Sequence, residues 1–177
     1  KGTPDGQPFA EEMVVYVDSD FAGDVDTRRS TTGAVLQIDG NTVATFSRRQ
    51  PVIATSTFRA ELYAIHTAYT ELDHLSSILA PLRPVTNSPL LVRNDNLGAV
   101  QKLNSITFSE ESKHMDVKSK FIREQMERGF VKVEWIPGAA NLADLLTKPL
   151  PAKRARELAE KIGLVGWPDD GEKWGSR

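Results

Sequence analysis

Four acidic residues, far apart in the chain, stand where regular secondary structure could carry them to one point. They are Asp18 in VVYVDSDFAG, Glu61 in TSTFRAELYAI, Asp95 in LLVRNDNLGAV and Asp144 in NLADLLTK. Asp18 and Asp95 each close an apolar, β-branched run, which puts a carboxylate at a strand end, where ligands gather in α/β proteins. Glu61 and Asp144 fall inside apolar patterns of helical spacing. Grouped carboxylate oxygens are the ligands that hard divalent cations such as Mg²⁺ take. The chemistry indicated is two-metal phosphodiester hydrolysis. Each acid also has a plain reading. Asp18 could solvate a strand end, Glu61 could be a helix-surface residue, Asp95 an N-cap, and Asp144 a complement to a helix dipole.

The elements that must position these acids are legible from periodicity. MVVYVDS reads as a buried strand over about 13–19. GAVLQIDG and NTVATFSRR read as two strands joined at Asp39-Gly40-Asn41, a strong hairpin signal. Apolar residues at helical spacing run from about Ser56 to Leu79, with Ser56 or Thr57 as cap and Pro81 and Pro84 as stops. PLLVRND is a fourth strand, followed by a short helix starting at Asn94 or Asp95. An amphipathic helix is expected over 110–128 with Gly129 as its end signal. FVKVEWIP is a fifth strand with Trp135 expected in the core, NLADLLTK a further helix, and about 151–162 the last one. The order gives an α/β fold with a mixed five-stranded sheet, three antiparallel N-terminal strands and then parallel ones, flanked by helices.

A chain of 177 residues suits one domain. Residues 1–11 read as a linker, 12–150 as the domain, and 151–177 as a C-terminal helix and mobile tail carrying Trp167 and Trp174. Cysteine is absent and only three histidines are present, which excludes thiolate metal sites. No apolar run approaches the roughly 18 residues that span a bilayer, so no membrane partner is expected. The net charge of −2 does not advertise a nucleic-acid binder. A four-carboxylate site masks any basic surface, however, so local clusters weigh more: Arg28-Arg29, Arg48-Arg49 and the series Lys113, Lys118, Lys120 and Arg123.

The order of acids, strands and helices is the layout of the ribonuclease H fold. VDSD, RAEL, RNDNLGA and NLADLLTKPL resemble the ribonuclease H domain of copia-type (Pseudoviridae) LTR-retrotransposon Gag-Pol polyproteins. DVDTRRSTTG, SRRQP and SKHMDVKSKFIRE match that family too, and the resemblance covers roughly residues 12–165.

The resemblance implies that Asp18, Glu61, Asp95 and Asp144 are catalytic and hold two Mg²⁺ ions, with Mn²⁺ able to substitute. It implies an endoribonuclease cutting the RNA strand of RNA/DNA hybrids, partnered by the reverse transcriptase polymerase of the same polyprotein. The implied location is a cytoplasmic virus-like particle, with the nucleus as an alternative. Clustered carboxylates should raise at least one pKa in the metal-free protein. Cellular ribonucleases H carry a histidine in the loop before the last aspartate. Here that loop, Pro137 to Asn141, has none, as is common in copia-type relatives.

Substrate contacts are expected from small polar groups near the acids, namely Ser19, Thr57, Asn94 and Asn96. Backbone phosphates are expected at Arg28-Arg29-Ser30-Thr31 and Ser47-Arg48-Arg49-Gln50. His114 is either structural or substrate-facing. Two rival readings stay open: a non-catalytic connection module of the same fold, and a DNA nuclease of the same superfold.

Overall fold

The computed structural model describes residues 12–82, 88–105 and 117–164. Strand β1 (Met13–Asp20) pairs antiparallel with β2 (Thr31–Ile38), which pairs antiparallel with β3 (Asn41–Arg49). On its other side β1 pairs in parallel with β4 (Leu90–Asn94), and β4 in parallel with β5 (Val131–Trp135). The spatial order is β3-β2-β1-β4-β5, the mixed five-stranded sheet expected. Asp39 (φ 49°) and Gly40 (φ 77°) both take positive φ at the β2–β3 turn. That is the geometry whose twist matches a two-residue hairpin.

Alternation along β1 divides its side chains between two layers. Met13, Val15 and Val17 enter the larger core with Leu62, Ile65 and Leu72 of helix α1 (Thr57–Leu79). Helices α2 (Leu97–Asn104) and α3 (Val117–Glu127) add Leu103 and Ile122 to the same layer. Tyr16 points the other way, toward Val35, Leu142, Leu158 and Ile162. Leu158 belongs to α4 (Ala152–Lys161) and Leu142 to a 3₁₀ segment, Leu142–Leu146. Fully burying a leucine or isoleucine contributes about 1.5–3 kcal/mol. Leu62, Ile65 and Leu72 therefore hold α1 firmly against the sheet.

Ser56, one of the two expected caps, caps α1, its side chain accepting from the Arg59 amide. Other expectations are corrected. Helix α2 is capped by Asn96, not by Asn94 or Asp95, because Asn96 Oδ1 is the group that accepts from Ala99 N, at 2.9 Å. NLADLLTK forms the 3₁₀ segment rather than an α-helix. Trp135 is 46 % exposed instead of core, its indole Nε1 donating to the Asp95 carbonyl at 3.0 Å. Helix α4 buries Leu158 completely, packing it with Val35 and Leu142. The linker, the tail with both its tryptophans, and the first part of the helix expected over 110–128 lie outside the described residues.

Candidate metal centre

The carboxylates arrive from both layers of the fold. Asp18 lies near the end of β1, on the face that carries Tyr16, and is buried there. Asp95 follows the last residue of β4, and Asp144 comes from the 3₁₀ segment that crosses this face. Each of the three brings one carboxylate oxygen to within 4.8 Å of the others. Glu61 approaches from α1, on the opposite layer, and is buried. It stands outside the close trio, although the charges of Asp18 and Asp95 act on it.

Neighbouring polar groups fix each acid. Asn94 Nδ2 donates to Glu61 Oε2 at 2.9 Å and to the Val17 carbonyl at 3.0 Å. Asn141 Nδ2 donates to that same carbonyl at 3.0 Å and to Asp95 Oδ1 at 3.2 Å. The Thr147 hydroxyl donates to Asp18 Oδ2. Lys148 Nζ lies 2.7 Å from Asp144 Oδ1 and 3.4 Å from Asp18 Oδ2. Gly33, paired with Asp18 in the sheet, makes room for this crossing. A Cβ at Gly33 would stand 2.6 Å from Thr147 Cγ2 and 2.9 Å from Leu146 Cβ.

The electrostatics follow from crowding. Two carboxylates about 5 Å apart repel by roughly 3 kcal/mol at an effective dielectric constant of about 20. Burial pushes Glu61 up to about 8, against the hydrogen bond from Asn94 and with the help of the Asp18 and Asp95 charges. Burial, and then the Asp18 charge, also raises Asp95. For Lys148 burial acts downward, but the hydrogen bond to Asp144 and the charges of Asp18 and Asp144 outweigh it and leave the ammonium above its ordinary value. Three converging, oxygen-only acids that already hold a cation at their edge fit a hard divalent ion, and the donor set suits Mg²⁺ or Mn²⁺ better than Zn²⁺.

No family model matches the chain. Individual relatives do. A Retrovirus-related Pol polyprotein from transposon RE2 of Arabidopsis thaliana is 30 % identical over 172 residues, covering 94 % of this chain and 12 % of that protein. The corresponding polyprotein from transposon TNT 1-94 of Nicotiana tabacum is 31 % identical over 149 residues, 84 % of this chain and 11 % of that protein. Among solved structures, LC11-RNase H1, isolated from compost by a metagenomic approach, superposes with a TM-score of 0.57 at 22 % identity. That match covers 77 % of this chain and 92 % of the other. The N-terminal RNase H domain of rv2228c from Mycobacterium tuberculosis gives 0.54 at 17 % identity, covering 85 % and 98 %.

This chain has the ribonuclease H fold and is kin to retrotransposon Pol polyproteins. It spans only about an eighth of the length of the polyproteins it matches.

Within this ribonuclease H fold, the expected substrate-facing residues divide. Thr57 is exposed at the start of α1, Arg28 is exposed, and Arg29 and Asn96 are half-buried. Asn94 is turned inward instead. It is fully buried, with both amide hydrogens and the carbonyl oxygen engaged, the last by Asn96 N at 3.0 Å. Ser19 is buried beside Glu61. Gln50 is buried as well, its Nε2 donating to Thr32 Oγ1 and to the Ala60 carbonyl at 3.0 Å each. Ser30 accepts from the Ala22 amide, and Ser47 donates to the Leu146 carbonyl. Arg48 pairs with Glu71 and lies over the Phe46 ring, while Arg49 pairs with Asp24 at 2.7 Å. His114 lies outside the described residues.

Three residues that shape the site had no role in the sequence reading: Asn141, Thr147 and Lys148. All three sit inside the recognised NLADLLTKPL segment. The signal was therefore present as a motif, but nothing in their residue types separates a site contact from a surface turn. Arg154 was missed as well. From α4 it donates to the carbonyls of Ala139 at 2.8 Å and Gly138 at 3.3 Å, pinning the loop that ends at Asn141.

Proposed function

We propose that this domain is a metal-dependent endoribonuclease that hydrolyses the RNA strand of RNA/DNA hybrids. The observation that carries the reading is the convergence of Asp18, Asp95 and Asp144 oxygens within 4.8 Å, with buried Glu61 beside them. A solved relative of the same fold, LC11-RNase H1, is known in complex with an RNA/DNA hybrid, which supports the substrate class.

Asp18, Glu61, Asp95 and Asp144 would hold two Mg²⁺ ions, for which Mn²⁺ can substitute. Such ions supply activation of a water and neutralisation of charge on the phosphodiester. The chain's own part is to hold the acids still. Asn94 fixes Glu61, Asn141 fixes Asp95, and Thr147 fixes Asp18. Attack by water on phosphorus with departure of the 3′-oxygen leaves 5′-phosphate and 3′-hydroxyl ends. No protein nucleophile is required, and the chain has no cysteine.

A hybrid is distinguished by 2′-hydroxyls in a wide minor groove. Thr57, exposed one helical turn before Glu61, and half-buried Asn96, next to Asp95, are assigned to read them. Arg28 and Arg29 are assigned to backbone phosphate. Arg48 and Arg49 can join them only by exchanging Glu71 and Asp24 for phosphate. Kinship with Pol polyproteins supports a setting beside a reverse transcriptase polymerase, where the domain would degrade genomic RNA after copying; the location proposed is a cytoplasmic particle. The functional unit runs from residue 12 through α4.

The test is cleavage of an end-labelled RNA/DNA hybrid, with duplex RNA, duplex DNA and EDTA controls. Hybrid-only, Mg²⁺-dependent cutting that disappears in Asp95→Asn is the expected result. Unchanged cutting by Asp95→Asn would remove the proposed mechanism.

A further inference from the structure

Lys148 is the one residue of the site whose charge opposes the job proposed for its neighbours. A site built to receive cations here contains a cation of its own. Its ammonium lies 2.7 Å from Asp144 Oδ1 and 3.4 Å from Asp18 Oδ2, contacting two of the three converging acids. The two carboxylates are almost fully buried, at 12 % and 5 % side-chain exposure, whereas the lysine side chain is 41 % exposed. The lysine is thus the member of the group that reaches solvent, and the acids are the enclosed ones.

The local geometry explains how it reaches them. Lys148 stands four residues after Asp144, just beyond the 3₁₀ segment, so the same short element delivers an acid and its own counter-ion. Its neighbour Thr147 is clamped to Asp18 through the hydroxyl, so the backbone at 147–148 is held over β1 while the lysine stem extends along the surface. A four-carbon stem with one end fixed and the other exposed can withdraw the ammonium into water without moving the acids.

We propose that Lys148 is a tethered counter-ion. It neutralises Asp18 and Asp144 while no divalent ion is bound, and it competes with that ion for the same oxygens. This rests on the metal-holding role proposed for the acids. Two opposed effects follow from one charge. Removing it leaves the acids mutually repelling, which lowers the stability of the metal-free protein. The same removal frees their oxygens, which tightens divalent binding. A lysine that merely decorated the surface would do neither. A lysine that assisted the ion would weaken binding when removed.

The measurement uses the 177-residue chain, its Lys148→Gln variant and its Lys148→Arg variant. Each is melted in EDTA and then titrated with Mg²⁺, and separately with Mn²⁺, by calorimetry. In Lys148→Gln the metal-free melting temperature is expected to fall and the Mg²⁺ dissociation constant to drop by up to about fivefold, the upper end of the range for losing one partly exposed ion pair. Lys148→Arg, which keeps the charge, should stay near the parent in both readings. Equal Mg²⁺ affinity in parent and Lys148→Gln, or weaker binding in the variant, overturns the inference while leaving the metal site intact. Failure of all three folded proteins to take up either ion would instead overturn the metal-dependent reading itself, and the inference with it.

Discussion

Asn94 Nδ2 donates to Glu61 Oε2 across 2.9 Å, and this contact joins the two layers of the site. Glu61 comes from α1, whereas Asn94 is the last residue of β4 and stands next to Asp95. The asparagine also grips the Val17 carbonyl, one residue before Asp18. One buried amide therefore sets the spacing between three of the four acids. Replacing Asn94 with alanine strips buried Glu61 of its donor and the Asn96 amide of its acceptor, while the Val17 carbonyl keeps the bond from Asn141. Each buried group left unsatisfied costs about 1–3 kcal/mol. Asn94→Ala should lower stability in urea by at least that amount and depress Mg²⁺-dependent cleavage even where the variant remains folded. Full activity in a folded Asn94→Ala protein would show that Glu61 needs no such support.

The raised pKa of Glu61 has a consequence for stability against pH. Its folded value of about 8 lies above the ordinary 4.5, so the folded protein keeps a proton that the unfolded chain releases. The stability tied to that proton is complete below about 4.5 and is lost as pH rises through about 8. Asp95, raised by burial and by Asp18, acts in the same direction. Metal-free protein should accordingly melt at lower temperature as pH climbs across this window, and Glu61→Gln should flatten the dependence. Because a divalent ion needs the ionised carboxylate, Mg²⁺ uptake should release protons and tighten toward pH 8. Melting curves in EDTA from pH 5 to 8.5 for both proteins decide the point; parallel curves would count against Glu61 as the buried acid responsible.

Gly33 is held to its lack of a side chain by a crossing, not by backbone conformation. Alanine there would drive a Cβ to 3.0 Å or less from Thr147 Cγ2, Leu146 Cβ and the Ala143 carbonyl. The 3₁₀ segment would have to lift, taking Asp144 and Thr147 with it. Overpacking of this kind costs about 1–3 kcal/mol. Gly33→Ala should lose that much stability and bind Mg²⁺ more weakly, whereas alanine at Gly40, with nothing within 4 Å of a Cβ there, meets only the strain of its positive φ and should leave Mg²⁺ binding unchanged.

Arg154 acts on the site only through the loop it holds. Its guanidinium bonds to the Gly138 and Ala139 carbonyls, and that loop presents Asn141 to Asp95. Arg154→Ala is expected to reduce cleavage several-fold at saturating Mg²⁺ with a small loss of stability, and Arg154→Lys to restore part of it. Unaltered cleavage in Arg154→Ala would show that Asn141 holds its place without the clamp.

Much of this was legible in the order of residues. Strand ends near Asp18 and Asp95 follow from β-branched runs that reach a carboxylate. The Asp39-Gly40 turn follows from backbone conformations few other pairs accept, and α1 from the recurrence of Leu62, Ile65, Ala68 and Leu72. These are local properties, decided by sterics and periodicity within a few residues, and with the motif resemblance they made the fold class and the grouping of Asp18, Asp95 and Asp144 legible without coordinates.

Only the tertiary structure decided the rest. Asn94 looked like a group for substrate and proved to be a buried brace, because its partners Val17 and Glu61 come from other elements. Asn141, Thr147 and Lys148 acquired roles only when the 3₁₀ segment was laid across Gly33 and β1. Trp135 looked like core but lies exposed at the last residue of β5, beyond buried Val131 and Val133, with its indole on the Asp95 carbonyl. A side chain's type records what it can bond to. Which partner it meets depends on contacts between distant segments, and so does whether water reaches it, and these come into being only as the chain packs.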